Sequence, residues 1–295
     1  MIEILVLYAI IAVTFTMGKI LLSFLPPIFL IGLRMIFAGT IILIAQWVLN
    51  KSILISKKDI PFFLFLSFIH IFVPYTTEFI ALETIMPSCA ALMYNLSPFF
   101  TAFFSYILFG EYMTVKKWLG FAISLFGVWI MLPHDSFFCF SGINGSFILL
   151  FISVVSSSFG WILFKKLLQK GYTAFQVNGF SMILGGSQAF IFARYFEPAP
   201  EGFWYENLYF WMLFFGIILF ANFIFYNLYG YFLHKYSATL LSFVGFLTPL
   251  FTALYDYLFL GVSVSKEFYL ATVIVSLGIY LFYQEELRQG YVINK

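Results

Sequence analysis

The chain has 295 residues, of which 63% are hydrophobic, 23% are aromatic and only 9% are charged. This much apolar surface exceeds what a single water-soluble core could bury, so the composition excludes an ordinary soluble domain and predicts a membrane protein. The formal net charge of +2 is too small to indicate a nucleic-acid-binding surface, and no nucleic-acid partner is expected.

Apolar runs long enough to cross a bilayer as a helix, about 20 residues, recur along the whole chain. They do not show the alternation of polar and apolar residues that barrel strands require. The first run has Glu3 where a secretion signal would be basic, so we interpret it as a retained helix. The predicted membrane-spanning segments, numbered 1 to 10, cover approximately residues 2–23, 27–49, 60–81, 87–109, 114–132, 145–164, 174–193, 208–232, 237–260 and 265–284.

Basic residues are distributed unevenly between the two sets of loops. If the N-terminus is cytoplasmic, only Arg194 and Lys266 lie in outer loops. Because cytoplasmic loops hold an excess of Lys and Arg, we expect both termini in the cytoplasm and a location in a bacterial inner membrane. The basic residues on the cytoplasmic side are then Lys51, Lys57, Lys58, Lys116, Lys117, Lys165, Lys166, Lys170, Lys235, Arg288 and Lys295.

The second part of the chain repeats the first. Pro98 and Pro249 are 151 residues apart, and several other identical residues coincide at that spacing. The pattern predicts two five-helix repeats, residues 1–133 and 145–286, followed by a cytoplasmic tail, 287–295. Because five is odd, the second repeat enters the membrane in the opposite sense. We therefore expect an all-α polytopic membrane protein with ten transmembrane helices as two inverted repeats, an architecture suited to alternating access.

Three segments resemble a known family. "LSPFFTAFFSYILFGE", "LTPLFTALYDYLFLG" and "LRMIFAG" resemble sequences of EamA-type carriers of the drug/metabolite transporter superfamily. The resemblance covers nearly the whole chain and implies a ten-helix secondary carrier of a small metabolite. EamA carriers differ in cargo, which includes amino acids, S-adenosylmethionine, nucleosides and drugs. This sequence has Val262 where many members repeat the acidic residue found here as Glu111.

Four ionisable side chains lie inside predicted membrane-spanning segments: Lys19, Arg34, Glu78 and Asp256. Charges at that depth are costly, so each is a candidate for a protein-lined or water-filled cavity. All four fall in the predicted outer half of the membrane. They could neutralise one another, or bind the carboxylate and amine of a zwitterionic cargo. Lys19 could instead extend to the headgroups, and Asp256 lies close to a helix end.

Segments 4 and 9 each contain a proline near their middle. Pro98 and Pro249 cannot donate a backbone hydrogen bond, so both helices should bend and expose a carbonyl group where cargo could bind. Asn95 and Thr101 surround the first bend, and Asn227 adds a polar group to segment 8. Each of these could equally be a packing feature or a satisfied hydrogen bond between helices.

Proton coupling and cargo exchange both stay open. Glu78 is the better candidate for a proton carrier, since its carboxyl group could lose and regain a proton during transport. His70, in the middle of segment 3, is the alternative. A lone histidine in a helix bundle is, however, more often a packing residue.

Aromatic side chains could stack on a flat cargo. A cavity combining Tyr75, Tyr94, Tyr226 and Phe246 with charges of both signs would suit a zwitterion with an aromatic or purine part. S-adenosylmethionine and aromatic amino acids both fit that description.

Other classes of protein remain as alternatives. The sequence has neither a Gly-rich nucleotide loop with a Lys nor histidines and cysteines at metal-ligand spacing, so we expect no cofactor, no metal and no enzyme activity. A channel or an exporter of broad specificity would also need polar residues inside the membrane, and a membrane-embedded enzyme is a weaker candidate. The expected partners are a small-molecule cargo and membrane lipid. Nothing in the sequence indicates an oligomeric state.

Overall fold

A computed structural model of the chain describes residues 2–49, 51–85, 87–131, 145–200, 202, 204–251, 254 and 266–291. Its regular elements in these ranges are helices, and no strand occurs among them. We number the helices to match the predicted segments. They are α1 (Ile2–Leu21), α2 (Pro27–Val48), α3 (Lys57–Leu82), α4 in two pieces (Pro87–Tyr94 and Ser97–Phe109), α5 (Val115–Met131), α6 (Gly145–Gln169), α7 (Ala174–Phe196), α8 (Leu208–Phe232), α9 (Ala238–Phe251) and α10 (Lys266–Arg288).

Six of the described helices are long and apolar enough to cross a membrane: α1, α2, α3, α6, α8 and most of α10. The second piece of α4 and α9 are shorter apolar helices. Many large hydrophobic side chains on these helices are exposed, as lipid-facing residues would be. The prediction of an all-α integral membrane protein is confirmed.

Helices α2 and α7 make the most extensive helix–helix contact, and it depends on glycine. A Cβ atom on Gly39 would lie 2.6 Å from the carbonyl oxygen of Gly179, and one on Gly186 would lie 3.0 Å from that of Gly32. Any side chain at these positions would push the backbones apart. Small residues of this kind let membrane helices pack closely.

Helices α5 and α10 form a second close pair. A Cβ atom on Gly127 would meet Val275, and one on Gly278 would meet Ser124. The Ser124 hydroxyl donates a hydrogen bond to the Val275 carbonyl oxygen at 3.2 Å. The two helices are thus held by backbone-level contacts along one face.

Four helices are interrupted near their middle. Both α3 and α8 contain a π-helical turn, at Phe68–Phe72 and Ile218–Phe225, a feature often found at functional sites. Helix α4 breaks at residues 95–96, and α9 contains a 3₁₀ turn at Gly245–Leu247. The last two interruptions directly precede the residue pairs 97–98 and 248–249, where the prolines predicted a bend. Each interruption in the first half therefore has a counterpart about 151 residues later.

Candidate functional site

A cavity lies between α1, α2, α3, α4, α6, α8 and α9. The space between its walls, including the part open to solvent, is about 990 Å³. Among the described residues, none of α5, α7 or α10 lines it. The polar and charged residues of the lining are Tyr8, Thr14, Arg34, Tyr75, Glu78, Tyr94, Ser97, Ser157, Tyr226, Tyr229, Ser242 and Thr248.

The positive charge of the cavity is Arg34, from α2. Its side chain is 2% exposed, and its Nε donates a hydrogen bond to Asn222 Oδ1 at 2.9 Å. The guanidinium lies over the ring of Tyr75, with Cζ 5.0 Å from the centroid, and 5.6 Å from the ring centroid of Phe79. Arg34 is therefore fixed by neutral groups from α3 and α8.

The negative group of the cavity is Glu78, from α3. The Tyr94 hydroxyl donates to its Oε2 at 2.6 Å. The same hydroxyl lies 2.8 Å from Ser153 Oγ, which in turn donates to the Pro74 carbonyl oxygen at 2.8 Å. Helices α3, α4 and α6 thus meet in a hydrogen-bonded chain that ends at the Glu78 carboxyl group.

Arg34 and Glu78 do not neutralise each other directly. None of the ion pairs within 4.0 Å in the part of the chain that the structure describes includes either residue. Both side chains are more than nine-tenths buried and line the same cavity. The cavity therefore offers one cation and one anion that are held by neutral partners, which suits a ligand carrying both signs of charge.

One wall of the cavity is aromatic. The ring centroid of Trp161 lies 4.0 Å from that of Tyr229 and 4.9 Å from that of Tyr226. Tyr226 extends the wall to Tyr75, 6.2 Å away between centroids. Rings in this arrangement can stack on the flat face of a ligand.

His70 lies behind this wall and not in it. Its ring centroid is 4.5 Å from that of Trp161, and neither of its ring nitrogens has a hydrogen-bond partner in the part of the chain that the structure describes. A Cβ atom on Gly160 would collide with the imidazole, so α6 leaves room for it only because that residue is glycine. His70 is fully buried and does not line the cavity.

The structure brings together five of the residues predicted from the sequence. Arg34, Tyr75, Glu78, Tyr94 and Tyr226 all line the cavity, from α2, α3, α4 and α8. Their roles in binding or gating stay predictions. Their convergence from four helices is the geometric basis for a single candidate site.

Other predicted residues are placed outside the cavity lining. The ammonium group of Lys19 donates to the carbonyl oxygens of Leu82 and Glu83 at the end of α3. Asn227 accepts a hydrogen bond from Asn178 Nδ2 at 2.9 Å, between α8 and α7. These residues hold helices together.

Within α4 and α9 the remaining predictions also fall outside the lining. Asn95 and Thr101 are buried in α4, and neither Asn95 Nδ2 nor Thr101 Oγ1 has a hydrogen-bond partner among the described residues. Phe246 is fully buried against the rings of Phe121 and Phe243. Asp256 lies outside the described residues.

The repeat in the sequence could have located two lining residues that were not predicted from their own chemistry. Trp161 and Tyr229, which form the aromatic wall, carry no charge and stand in strongly aromatic helices. Yet Tyr229 lies 151 residues after Glu78. The pairs of lining residues at this spacing are Pro74 and Phe225, Tyr75 and Tyr226, Glu78 and Tyr229, Ala91 and Ser242, Tyr94 and Gly245, and Ser97 and Thr248.

Comparisons with known proteins find relatives and a related fold along nearly the whole chain. A family model described as the EamA-like transporter family matches residues 1–132 and 145–284. The S-adenosylmethionine/S-adenosylhomocysteine transporter of Chlamydia trachomatis serovar L2 is 30% identical over 291 residues, covering 95% of this chain and 88% of that protein. The protein of the same description from Chlamydia muridarum is 29% identical over 291 residues, covering 95% and 90%. A solved crystal structure with 16% identity has a TM-score of 0.72 over 96% of this chain and 95% of that chain, which shows a shared fold.

Proposed function

Because this chain belongs to the EamA-like transporter family, we propose that it is a secondary carrier of S-adenosylmethionine or S-adenosylhomocysteine that works by alternating access. The observation that carries the proposal is the central cavity, to which paired positions of the two repeats contribute. The relatives described as transporters of these two compounds support the choice of cargo.

The chemistry of the cavity matches that cargo class. An S-adenosyl compound has a flat purine ring at one end and an amino-acid group with a carboxylate and an amine at the other. The wall of Trp161, Tyr226 and Tyr229 offers faces on which a purine can stack. Arg34 and Glu78 offer the two charges that an amino-acid group needs.

The proposed architecture is two inverted repeats of five transmembrane helices. Reciprocal contacts support it. Aligning the segments "GLRMIFAG" and "GFSMILGG" makes Gly32 equivalent to Gly179 and Gly39 equivalent to Gly186 in the repeat. In the structure the contacts are exchanged: Gly39 packs against Gly179, and Gly32 packs against Gly186. Such an exchange of partners is what a twofold axis between α2 and α7 produces.

The pair α5 and α10 repeats this behaviour. At the 151-residue spacing, Ser124 corresponds to Val275 and Gly127 to Gly278. Gly127 packs against Val275, and Gly278 packs against Ser124. A pseudo-twofold axis through the cavity would let the two halves exchange conformations and expose the cargo to either side in turn.

We further infer that both termini are cytoplasmic and that the membrane is a bacterial inner membrane. The excess of Lys and Arg in one set of loops supports this orientation. The end of the bundle at which α4, α6 and α10 end is then the cytoplasmic end, and we call it the inner end below.

Counterflow in proteoliposomes tests the carrier mechanism. Vesicles preloaded with unlabelled S-adenosylhomocysteine should accumulate labelled S-adenosylmethionine faster than empty vesicles. Fast dissipation of a gradient without this acceleration would indicate a channel, and chemical conversion of the cargo would indicate an enzyme. Uptake only of aromatic amino acids would replace the proposed cargo. Repeating the assay with an imposed proton gradient separates proton coupling from exchange.

Two substitutions test the site. Removing either charge, by Arg34→Ala or Glu78→Ala, should abolish uptake while the protein still inserts into the membrane, because each leaves one cargo charge without a partner in a poorly hydrated cavity. Asn207→Asp, at the start of α8, is a suitable control because an aspartate can still cap that helix. Normal uptake by both alanine variants would disprove the assignment of the cavity.

A further inference from the structure

Arg34 is a buried cation that forms no ion pair among the described residues. Its side chain is 2% exposed, and no carboxylate lies within ion-pair distance of it in the described ranges. A buried charge without an opposite charge is costly, and such groups inside membranes usually serve a ligand or a pathway. The cavity that Arg34 lines is where a compensating anion can bind.

Asn222 fixes the orientation of this cation. It lies in the π-helical turn of α8, is fully buried, and accepts the hydrogen bond from Arg34 Nε. Its Nδ2 faces two sulfur atoms, Met35 Sδ at 3.3 Å and Met182 Sδ at 3.8 Å, which can only accept hydrogen bonds. The amide is thereby set with its oxygen toward Arg34.

Asn222 holds one edge of the guanidinium. Of its five N–H donors, the one on Nε is bonded to Asn222, and the other four belong to the two Nη groups. The pair of Nη groups forms a planar fork that matches the two oxygens of a carboxylate. The face of the group is covered by Tyr75 and Phe79, so a carboxylate has to approach at the edge.

We propose that Asn222 is a positioning residue that aims Arg34 at the α-carboxylate of the cargo, and so makes the carrier select S-adenosyl compounds that have a carboxylate over those that lack it. This inference rests on the proposed function. It adds a specificity determinant that does not itself line the cavity.

The test uses two ligands that differ only in the carboxylate: S-adenosylmethionine and decarboxylated S-adenosylmethionine. Their Kd values are measured by calorimetry on the purified full-length protein in detergent. The wild-type protein should bind the carboxylate-bearing ligand about tenfold to a hundredfold more tightly, as expected for charge-assisted hydrogen bonds. Arg34→Met should bring the ratio of the two Kd values close to one.

Asn222→Asp is the decisive variant because it is nearly isosteric. The new carboxylate would pair with Arg34 and compete with that of the cargo. The Kd for S-adenosylmethionine should therefore rise at least tenfold, while the Kd for the decarboxylated ligand stays within about twofold. The apparent Tm should stay level or rise, because a buried cation gains a partner. The matched control, Asn207→Asp in the same helix, should preserve both Kd values.

Three outcomes separate the possibilities. Loss of discrimination in Asn222→Asp with an undiminished Tm supports the proposal. An unchanged ratio of Kd values in Asn222→Asp, or equal Kd values in the wild-type protein, overturns the role of Asn222 and Arg34 while leaving the cargo assignment in place. Failure of the wild-type protein to bind either ligand overturns the proposed cargo and this inference with it.

Discussion

The two ends of the helix bundle are held by different chemistry. At the inner end, three of the ion pairs in the described part of the chain join the first half of the chain to the second. At the opposite end, charged side chains bind backbone groups. The inner pairs are Lys117 with Glu286, Lys165 with Glu111 at 2.8 Å, and Lys170 with Asp59 at 2.5 Å.

The opposite end uses helix termini in place of ion pairs. The Lys19 ammonium group binds carbonyl oxygens at the end of α3, and the two oxygens of Glu197 accept hydrogen bonds from the backbone N–H groups of Ile28 at 2.7 Å and Phe29 at 2.8 Å. Each charge complements a helix dipole. Opening the inner end requires separating opposite charges that belong to the two halves of the chain, so we expect this conformation to be closed at that end.

The largest expected effect comes from breaking the buried pair between α5 and α10. Lys117 and Glu286 are 2% and 0% exposed. Lys117→Met removes the ion-pair partner of the buried Glu286 carboxylate and should lower the free energy of unfolding by about 3 to 5 kcal/mol. Thermal unfolding in detergent measures this loss.

The double variant Lys117→Met with Glu286→Leu provides the control for that prediction. With both charges replaced by apolar groups, most of the lost stability should return. Arg288→Gln removes a side chain that is 66% exposed from its pair with Glu285, which is 2% exposed, and should lower Tm less than Lys117→Met does. Equal losses of stability in the single and double variants would show that these residues stabilise the contact between α5 and α10 by packing and not through their ion pair.

A smaller effect is expected at the pair that links α6 to the end of α4. Lys165 and Glu111 are each 14% exposed. Glu111→Gln should favour the conformation open at the inner end about fivefold to thirtyfold, the factor that 1 to 2 kcal/mol produces. The measurement is the rate at which an impermeant thiol reagent, added on the inner side, labels a cysteine placed at Ser242 in the cavity lining.

That experiment needs a background in which the two native cysteines are replaced by serine. Exchanging the charges, with Glu111→Lys and Lys165→Glu together, should restore the slow labelling rate. A labelling rate that is the same in Glu111→Gln and the parent protein would mean that this pair does not hold the inner end closed.

The sequence predicted the components of the site better than their orientation. Arg34 and Glu78 could be identified because a charge inside the membrane is costly wherever its helix faces. The positions of Asn227 and Phe246 could not be predicted, because the rotation of a helix about its axis is set by packing against neighbours. A uniformly apolar helix carries no amphipathic pattern that would reveal this rotation.

The repeat in the sequence also aligns the two residues of the Lys165–Glu111 ion pair with residues in the other half of the chain. "KILL" at 19 and "KKLL" at 165 align Lys19 with Lys165, and the 151-residue spacing aligns Glu111 with Val262. The pair of Lys165 with Glu111 therefore has a basic counterpart, Lys19, at the opposite end, but it has no acidic counterpart in the sequence. The replacement of the family's acidic residue by Val262 therefore corresponds to the difference between the ion pairs of the inner end and the backbone contacts of the opposite end.

An acidic residue introduced at position 262 should make the two ends of the bundle more alike. Val262→Glu places a carboxylate at the position equivalent to Glu111, where Lys19 is the equivalent base. If the two side chains pair, the opposite end should become harder to open by about 0.5 kcal/mol, or about twofold in population. Labelling of the Ser242→Cys side chain from the outer side should slow accordingly. Val262→Gln should not change it, and an equal slowing in Val262→Gln would exclude an ion pair.

The smallest expected effect concerns Glu197, which contributes to the opposite end without an ion pair. Burial is the main influence on this carboxyl group and raises its pKa above the usual value near 4.5, although the hydrogen bonds from Ile28 and Phe29 act in the other direction. In the pH range just above that value, the folded protein then binds a proton that the unfolded chain does not. Stability should therefore fall slightly as the pH rises through this range.

Glu197→Gln removes the titrating group while keeping an oxygen that can accept a hydrogen bond from the start of α2. The difference in Tm between the wild-type protein and this variant should shift in favour of the variant as the pH rises above 4.5. A difference that shifts in favour of the wild-type protein over the same range would mean that the two backbone hydrogen bonds outweigh burial. In that case the charged carboxylate stabilises this end, as the ion pairs stabilise the inner one.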